Sequence, residues 1–154
     1  MKTLLNLFIC ATFFAGFTIS CDPGAKTNES SVDFSAAESE FSALMLQFKS
    51  ILIGDMISPK WTDIAEWENV CLTVTSVKEQ INLLLIFEAG ILWEGVSPNW
   101  YSRRASWMSD VKNARSEFEL GRLLAELETN VTWDSVDESW RQLRDEWLKD
   151  ATSL

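Results

Sequence analysis

The chain has 154 residues, of which 23 are acidic and 13 basic, for a formal net charge of −10. Such a chain repels nucleic acids and anionic lipid headgroups, so a basic protein or a cation is the more natural partner, although acidity also simply keeps a protein soluble. Histidine is absent, which excludes Ser-His-Asp and Cys-His catalysis and the usual zinc sites, and we predict neither a metal nor a cofactor.

The first predicted element is a secretory signal peptide at residues 1–20, MKTLLNLFICATFFAGFTIS. Lys2 is its one charge, an apolar run follows, and the small residues Thr18 and Ser20 lie at the end of the segment. The apolar run is marginal in length for a membrane span and a polar stretch follows it, so cleavage is the better interpretation. Loss of one positive charge would leave the mature chain at −11, that is −10 − 1.

Cys21 would become the new N-terminus, and the segment FTISC that ends in it resembles the cleavage box of a bacterial lipoprotein precursor. The resemblance covers only the leader and Cys21. It implies that the cysteine sulfur carries diacylglycerol, which would anchor the protein to a membrane of the cell envelope. The box departs from the family pattern at Phe17, where leucine is common, and at Ile19, where a small residue is frequent. The alternative is a secreted protein whose Cys21 is free or forms a disulfide with Cys71.

A flexible tether is predicted at residues 22–33, which are polar and contain Pro23 and Gly24. Together with Cys21 it would join the membrane anchor to a helical repeat domain at residues 34–154. Cys71, within that domain, is predicted to be a small buried apolar residue.

The domain contains an internal repeat with a period of 40 residues. Positions that meet an identical residue one period later include Trp67 with Trp107, Glu88 with Glu128, Trp93 with Trp133, Trp100 with Trp140, Arg104 with Arg144, and Trp107 with Trp147. A worn third copy is visible where ISPKW at residues 57–61 aligns with VSPNW at residues 96–100. A period of this length is typical of helical hairpins that pack on their neighbours.

Apolar spacing predicts six helices, near residues 34–54, 59–73, 77–92, 98–114, 117–132 and 137–150. Their starts carry capping signals, namely Ser-Pro pairs at 58–59 and 97–98, Asp137 in the same slot, and capping boxes at 76–79 and 116–119. No segment shows sustained alternation of apolar and polar residues. The predicted fold class is therefore all-α, with about two and a half tandem 40-residue hairpins packed as a short helical repeat or bundle.

The helix predicted at 77–92 is apolar on nearly every side, because it contains the run INLLLIF at residues 81–87. A helix of this kind must be covered on all sides. The middle copy of a stacked array offers the most complete cover, so we expect this helix to be fully buried.

Glu88 and Glu128 recur at matching positions, as do Arg104 and Arg144. The worn first copy lacks both members of the pair, because its glutamate slot holds Lys49 and its arginine slot holds Ala65. We therefore predict that Glu88 pairs with Arg104, and Glu128 with Arg144, across the turn of each hairpin, and two exposed ions of this kind would contribute less than about 1 kcal/mol.

The tryptophans suggest either packing or binding. Trp100 and Trp107 lie seven residues apart on one helical face, and Arg103 or Arg104 lies one turn from each, which suits cation–π stacking. Because a residue reused in successive copies serves what the copies share, packing is the preferred interpretation. A unique binding surface is sought among non-repeated residues, for which Tyr101, Arg103 and Arg122 are the candidates.

These observations predict a non-enzymatic, exported and lipid-anchored protein of the cell envelope. It would act as a protein-binding or scaffold module, for example as an immunity-type or adaptor protein, and its partner would be a basic protein. It would bind no nucleic acid. The alternative is a small-ligand-binding protein that holds a sugar, an amine or a peptidoglycan fragment on its Trp/Arg faces. The sequence leaves the oligomeric state open.

Overall fold

A computed structural model of the protein describes residues 39–53 and 56–154. The predicted signal peptide, Cys21 and the tether lie outside the described residues. All of the described residues belong to one compact unit, Val32–Leu154.

The described part of the chain contains six α-helices and no strand, so the all-α prediction is confirmed. The helices are α1 (Glu40–Ile51), α2 (Ile64–Cys71), α3 (Val77–Gly90), α4 (Pro98–Asn113), α5 (Glu117–Asn130) and α6 (Trp140–Ala151). Short 3-10 turns at Trp93–Gly95 and Trp133–Ser135 precede α4 and α6. Each α-helix lies within or within one residue of a predicted segment.

Three helices begin later than predicted. The first, α1, begins at Glu40 instead of residue 34, and the Ser39 hydroxyl caps it by accepting from the Ser42 backbone N–H. The structure has a turn after Ser58 and starts α2 at Ile64, and it has another turn after Asp137 and starts α6 at Trp140. In the last case the Asp137 carboxylate accepts hydrogen bonds from the backbone N–H and the hydroxyl of Ser139. These bonds stabilise a local turn in competition with the first helical turn.

The helices form a closed ring with approximate threefold symmetry. The inner helices α1, α3 and α5 all contact one another, and each outer helix packs between two inner ones: α2 on α1 and α3, α4 on α3 and α5, and α6 on α5 and α1. Two hairpins are continuous in the chain, α2–α3 and α4–α5. The third hairpin is made of α6 and α1, so the two and a half hairpins of the sequence become three in space.

An indole hydrogen bond is repeated at the same place in each hairpin. The Nε1–H of Trp67 donates to the Leu83 carbonyl at 3.0 Å, and that of Trp107 donates to the Leu123 carbonyl at 2.9 Å. The third bond joins the two ends of the chain, because Trp147 in α6 donates to the carbonyl of Leu44 in α1 at 3.1 Å. This repetition establishes α6–α1 as the equivalent of the two continuous hairpins.

Three loops complete the ring at the C-terminal ends of the inner helices. Each loop pairs with the next one through backbone hydrogen bonds, and an isolated β-bridge marks each junction: Ile57 with Ile91, Val96 with Val131, and Leu52 with Val136. At each junction a residue before an outer helix donates to the end of an inner helix: Ser58 to Gly90, Ser97 to Asn130, and Asp137 to Ile51. These bonds satisfy carbonyls that helix ends otherwise leave without partners.

The core lies between the three inner helices, where equivalent positions form apolar layers. One layer contains Met45, Leu84 and Leu124, and another contains Phe48, Phe87 and Leu127; all six residues are at most 1% exposed. The outer helices each add buried tryptophans, namely Trp67 from α2, Trp100 and Trp107 from α4, and Trp140 and Trp147 from α6. The repeated tryptophans thus form part of the frame that the copies share.

The expectation that α3 is covered on all sides is wrong at Ile86, which is 45% exposed. In a closed ring no hairpin occupies a middle position, so α3 presents one side to solvent as the other inner helices do. No helix in the described residues is both long enough and apolar enough for a membrane span.

Candidate functional site

The two predicted ion pairs are present, but they are largely buried. Arg104 donates from Nε and Nη2 to the two carboxylate oxygens of Glu88 at 2.5 and 2.8 Å, and the Trp100 indole N–H donates to the same carboxylate at 3.2 Å. Glu88 is only 3% exposed. A bidentate guanidinium and an indole donor compensate its buried charge, as a buried carboxylate requires.

The same unit recurs one period later. Arg144 donates to both oxygens of Glu128 at 2.7 and 2.8 Å, and Trp140 donates to it at 2.9 Å. Glu128 is 5% exposed, so the expectation of an exposed pair is wrong for both copies, and the energy expected for two exposed ions does not apply to them. Each unit joins an inner helix to the outer helix that follows it, so the pairs connect successive hairpins and do not lie across the turn within one hairpin as predicted.

The arginines stack on different tryptophans from those the sequence suggested. The Arg104 guanidinium lies 4.2 Å from the Trp93 ring centroid, and that of Arg144 lies 5.1 Å from the Trp133 ring. Trp100 and Trp107 instead pack against each other edge to face, with centroids 5.2 Å apart. They are buried, so their faces offer no site for a sugar or an amine.

The structure places the three candidate binding residues in two locations. Tyr101 is 58% exposed, stacks on Trp93 with centroids 5.0 Å apart, and donates its hydroxyl hydrogen to the Trp93 carbonyl. Arg103 and Arg122 both line an open cleft of about 880 Å³ formed by α4, α5 and α6. Tyr101 is not among the residues that line this cleft, so the three candidates do not form one site.

Arg103 is already engaged within its cleft. Its Nε donates to Glu126 at 2.5 Å, and its Nη2 donates to Glu126 and to Asp110, at 3.2 and 3.0 Å. These two carboxylates raise the pKa of the Arg103 guanidinium above its ordinary value, chiefly through the hydrogen bonds that Arg103 donates to Glu126. The network extends across the surface of the α4–α5 hairpin and engages the Nε and Nη2 donors of Arg103.

A second groove, of about 470 Å³, lies on the surface of the α2–α3 hairpin; we call it the α2–α3 groove. Its floor contains the buried Trp67 and Leu83, and the partly buried Trp61 lines it as well. Val70 from α2 and Ile86 from α3 stand in it with 40% and 45% of their surface exposed. Two large aliphatic side chains therefore face solvent in one concave surface.

The polar residues of the α2–α3 groove are predominantly acidic. Asp63 and Glu66 lie on the α2 side, Glu79 lies on the α3 side, and all three are exposed. Asn82 is the remaining polar residue of the lining, and no basic residue lines the groove. The groove thus combines an apolar floor with a negative rim.

The threefold arrangement allows this groove to be compared with its two equivalents. Val70 corresponds to Asp110 and Asp150, and Ile86 corresponds to Glu126 and Gln47, so both aliphatic positions are polar in the other two hairpins. The fold therefore accepts polar residues at these positions. The two aliphatic residues are specific to the α2–α3 hairpin and are not needed for packing.

Reasoning from the sequence missed this groove, because it singled out charged and aromatic residues and expected α3 to be buried. The signal was the departure of Val70 from its equivalents Asp110 and Asp150, which lie 40 and 80 residues later. A position that departs from the shared pattern of a repeat is where a surface specific to one copy is expected.

Two further observations concern potential metal ligands and the thiol of Cys71 in the part of the chain that the structure describes. It contains no cluster of three or more potential metal ligands. Cys71 is fully buried, and desolvation, with a further contribution from Glu68, raises the pKa of its thiol to about 12. Its equivalents are Val111 and Ala151, in agreement with its prediction as a small buried apolar residue.

A family model described as a domain of unknown function, DUF8799, matches residues 71–140, which is 70 of the 154 residues. The match begins at the last residue of α2, includes α3, α4 and α5, and ends at the first residue of α6. It therefore contains the α3 wall of the groove and omits nearly all of the α2 wall. No curated protein and no solved structure matches the chain.

Proposed function

We propose that the protein is a non-enzymatic protein-binding module of the bacterial cell envelope, exported and anchored through a lipid on Cys21, and that it binds a basic protein partner. The α2–α3 groove is the observation that carries this proposal. Its exposed Val70 and Ile86 supply apolar area to bury, and its carboxylates supply complementary charge for a cationic surface. An immunity-type or adaptor role fits a tethered acidic binder.

The arrangement of polar groups supports binding over catalysis. The regular carboxylates of the repeat have structural roles: Glu88 and Glu128 hold arginines and indoles. The Ser116 hydroxyl accepts from the Glu119 backbone N–H, and the Glu119 carboxylate accepts from the Arg115 backbone N–H. None of these carboxylates is available as a free acid–base pair.

The test of the proposal is an affinity capture from envelope extracts with the full mature domain. A double variant, Val70→Asp with Ile86→Gln, introduces residues that the equivalent positions already carry, so its helical content and Tm should stay close to those of the wild type. Leu143→Gln is the matched control, because Leu143 is 55% exposed outside the α2–α3 groove. Capture of a basic protein by the wild type and the control, with loss in the double variant, supports the proposal. Equal capture by all three contradicts it.

The proposed anchor has its own test. Mass spectrometry of the native protein should show a chain that begins at Cys21 and carries the mass of a diacylglyceryl group. An unmodified cysteine would remove the anchor from the proposal and leave a secreted binder.

The cleft that contains Arg103 and Arg122 favours a second candidate, the binding of a small ligand. Its volume of about 880 Å³ is within the range of ligand pockets, and Lys149 from α6 also lines it. Titration calorimetry with sugars, amines and peptidoglycan fragments, on the wild type and on Arg122→Ala, tests this candidate. Saturable heat that Arg122→Ala removes would favour it over a protein partner.

A further inference from the structure

Both walls of the α2–α3 groove are stripes along helices. On the α2 side the lining residues are Asp63, Glu66, Trp67 and Val70, and on the α3 side they are Glu79, Asn82, Leu83 and Ile86. Each set follows the spacing i, i+3, i+4, i+7, which places its members on one helical face. The groove is thus the valley between α2 and α3, and the two stripes of lining residues form its walls.

A valley of this kind suits another helix better than an extended peptide. An extended peptide gains affinity by pairing its backbone with a free strand edge. Within the described residues the walls of the groove are helices, whose backbone groups are already bonded internally, so a strand would lose hydrogen bonds on entry. A helix carries its backbone bonds with it and places ridges of side chains into the valley.

The charge of the rim and the length of the walls further restrict which helix can bind in the groove. The rim carries Asp63 and Glu66 on one side and Glu79 on the other, so cationic residues on both flanks of an apolar stripe would meet carboxylates. The lining residues extend from Asp63 to Val70 on one wall and from Glu79 to Ile86 on the other, which is roughly 10 Å at the helical rise, or about two turns of a partner helix.

We infer that the α2–α3 groove binds one basic amphipathic helix in the partner protein, of which about two turns lie in the groove. This inference rests on the proposed function and specifies the chemistry of its partner. The apolar stripe of the partner helix covers Val70 and Ile86, and lysine or arginine side chains on its flanks face Asp63, Glu66 and Glu79. The exposed aliphatic residues of this hairpin are buried when the helix binds, and the other two hairpins, which have polar residues at the corresponding positions, do not bind it.

The experiment uses three synthetic peptides and the mature domain at physiological salt. The first peptide is a basic amphipathic helix with leucines at i, i+3, i+4 and i+7. The second has the same composition in scrambled order, and the third carries a proline at the centre. We expect saturable binding of the first peptide with a gain of helical circular dichroism, and Kd values at least about tenfold weaker for the other two.

The protein variants locate the site. Val70→Asp with Ile86→Gln should weaken binding of the first peptide by at least about tenfold, and Leu143→Gln should leave it within about twofold. Equal binding of the scrambled peptide, or an equal effect of Leu143→Gln, overturns the inference, since association would then be by charge alone or at another surface. If a natural partner is captured in a groove-dependent way but the proline peptide binds as well as the first, the helix is wrong and the proposed function stands. If capture of the natural partner does not depend on the groove, the inference and the proposed function both fail.

Discussion

The Glu128 carboxylate shows how a single residue holds two elements of the ring together. It lies in α5, is 5% exposed, and receives hydrogen bonds from Arg144 and Trp140 around the start of α6. Removal of a partner leaves a buried charge without compensation, which costs several kcal/mol in a dry site and less where water can enter.

We expect Arg144→Ala to lower the free energy of unfolding by about 2–4 kcal/mol, because the Arg144 side chain is 23% exposed and its loss admits some water. Arg141→Ala is the matched control: its pair with Glu138 is exposed on both sides, and its loss should cost less than about 1 kcal/mol. Urea denaturation of both variants measures the difference. Similar costs would show that the Glu128 unit is no stronger than a surface pair.

A double charge reversal at this pair gives a separate readout. With Glu128→Arg and Arg144→Glu together, the indole N–H of Trp140 would face a guanidinium, which has no acceptor for it. We expect the double reversal to recover only part of the stability that either single reversal loses. Full recovery would show that the indole bond at 2.9 Å contributes little.

Cys71 provides a prediction on reactivity and pH. Burial raises the pKa of its thiol to about 12 from an ordinary value of 9.0, so the native thiol should not react with an aromatic disulfide reagent at pH 8 and should react once the protein unfolds. The folded state holds this proton more tightly than the unfolded state. The stability that it contributes is therefore complete below about pH 9 and is lost as the pH rises toward about 12.

The control for this prediction is Cys71→Ala, which introduces the residue of the equivalent position Ala151. It should remove this part of the alkaline pH dependence. Rapid labelling of native wild-type protein at pH 8 would contradict the buried placement of the thiol.

At the scale of elements, the close approach of α5 and α6 depends on Gly121. A Cβ atom at this position would lie 2.1 Å from the Ala151 carbonyl oxygen and 2.7 Å from Leu154 Cδ1. Alanine within a helix normally gains about 1 kcal/mol over glycine, whereas overpacking costs about 1–3 kcal/mol or more. Here the obstacle is backbone, so the steric cost should dominate.

We therefore expect Gly121→Ala to lower the thermal midpoint in a calorimetric scan. Thr129→Ala, at an exposed position of the same helix, is the control and should leave the midpoint within about 2 °C, since exposed substitutions usually change stability little. A rise in the midpoint of Gly121→Ala would mean that α6 moves aside without loss.

The helices that begin with a strong capping signal were predictable from the sequence. The way in which the helices pack against one another was less predictable. The serine of each predicted capping box accepts a backbone N–H, Ser76 from Glu79 and Ser116 from Glu119, and α3 and α5 begin where these serines predict. The start of α2 did not follow from the Ser58-Pro59 pair, although the equivalent Ser97-Pro98 pair, with the same backbone bond to the end of an inner helix, does begin α4. The exposure of Ile86 depends on ring closure, which periodicity does not encode.

At the scale of the whole molecule, the closed ring predicts that the protein tolerates circular permutation, in which the same helices follow one another in a different order along the chain. The chain end Leu154 and the start of α1 at Glu40 line one cleft. A direct bond from Leu154 to Ser39 would connect α6 to α1 through four residues (152, 153, 154 and 39), compared with residues 72–76 between α2 and α3 and residues 114–116 between α4 and α5.

We expect a circular permutant that begins at Asp55, runs through Leu154 to Ser39 and ends at Gly54 to fold into the same ring. It would contain three continuous hairpins, and its Tm should be at least that of a linear domain of residues 39–154. Circular dichroism, size exclusion and cooperative thermal unfolding test this expectation. A helical but non-cooperative product would show that the α6–α1 hairpin is not equivalent to the other two.

The bond between Trp147 and Leu44 joins residues that are 103 positions apart. Among the helices that the structure describes, α1 is synthesised first, and it has no outer partner of its own hairpin until α6 has been made. Long-range closure of this kind is slow and comes late. For a protein that we propose to be exported, this delay would be useful, because a chain whose ring closes only after synthesis is complete stays open for passage across the membrane and folds on the far side.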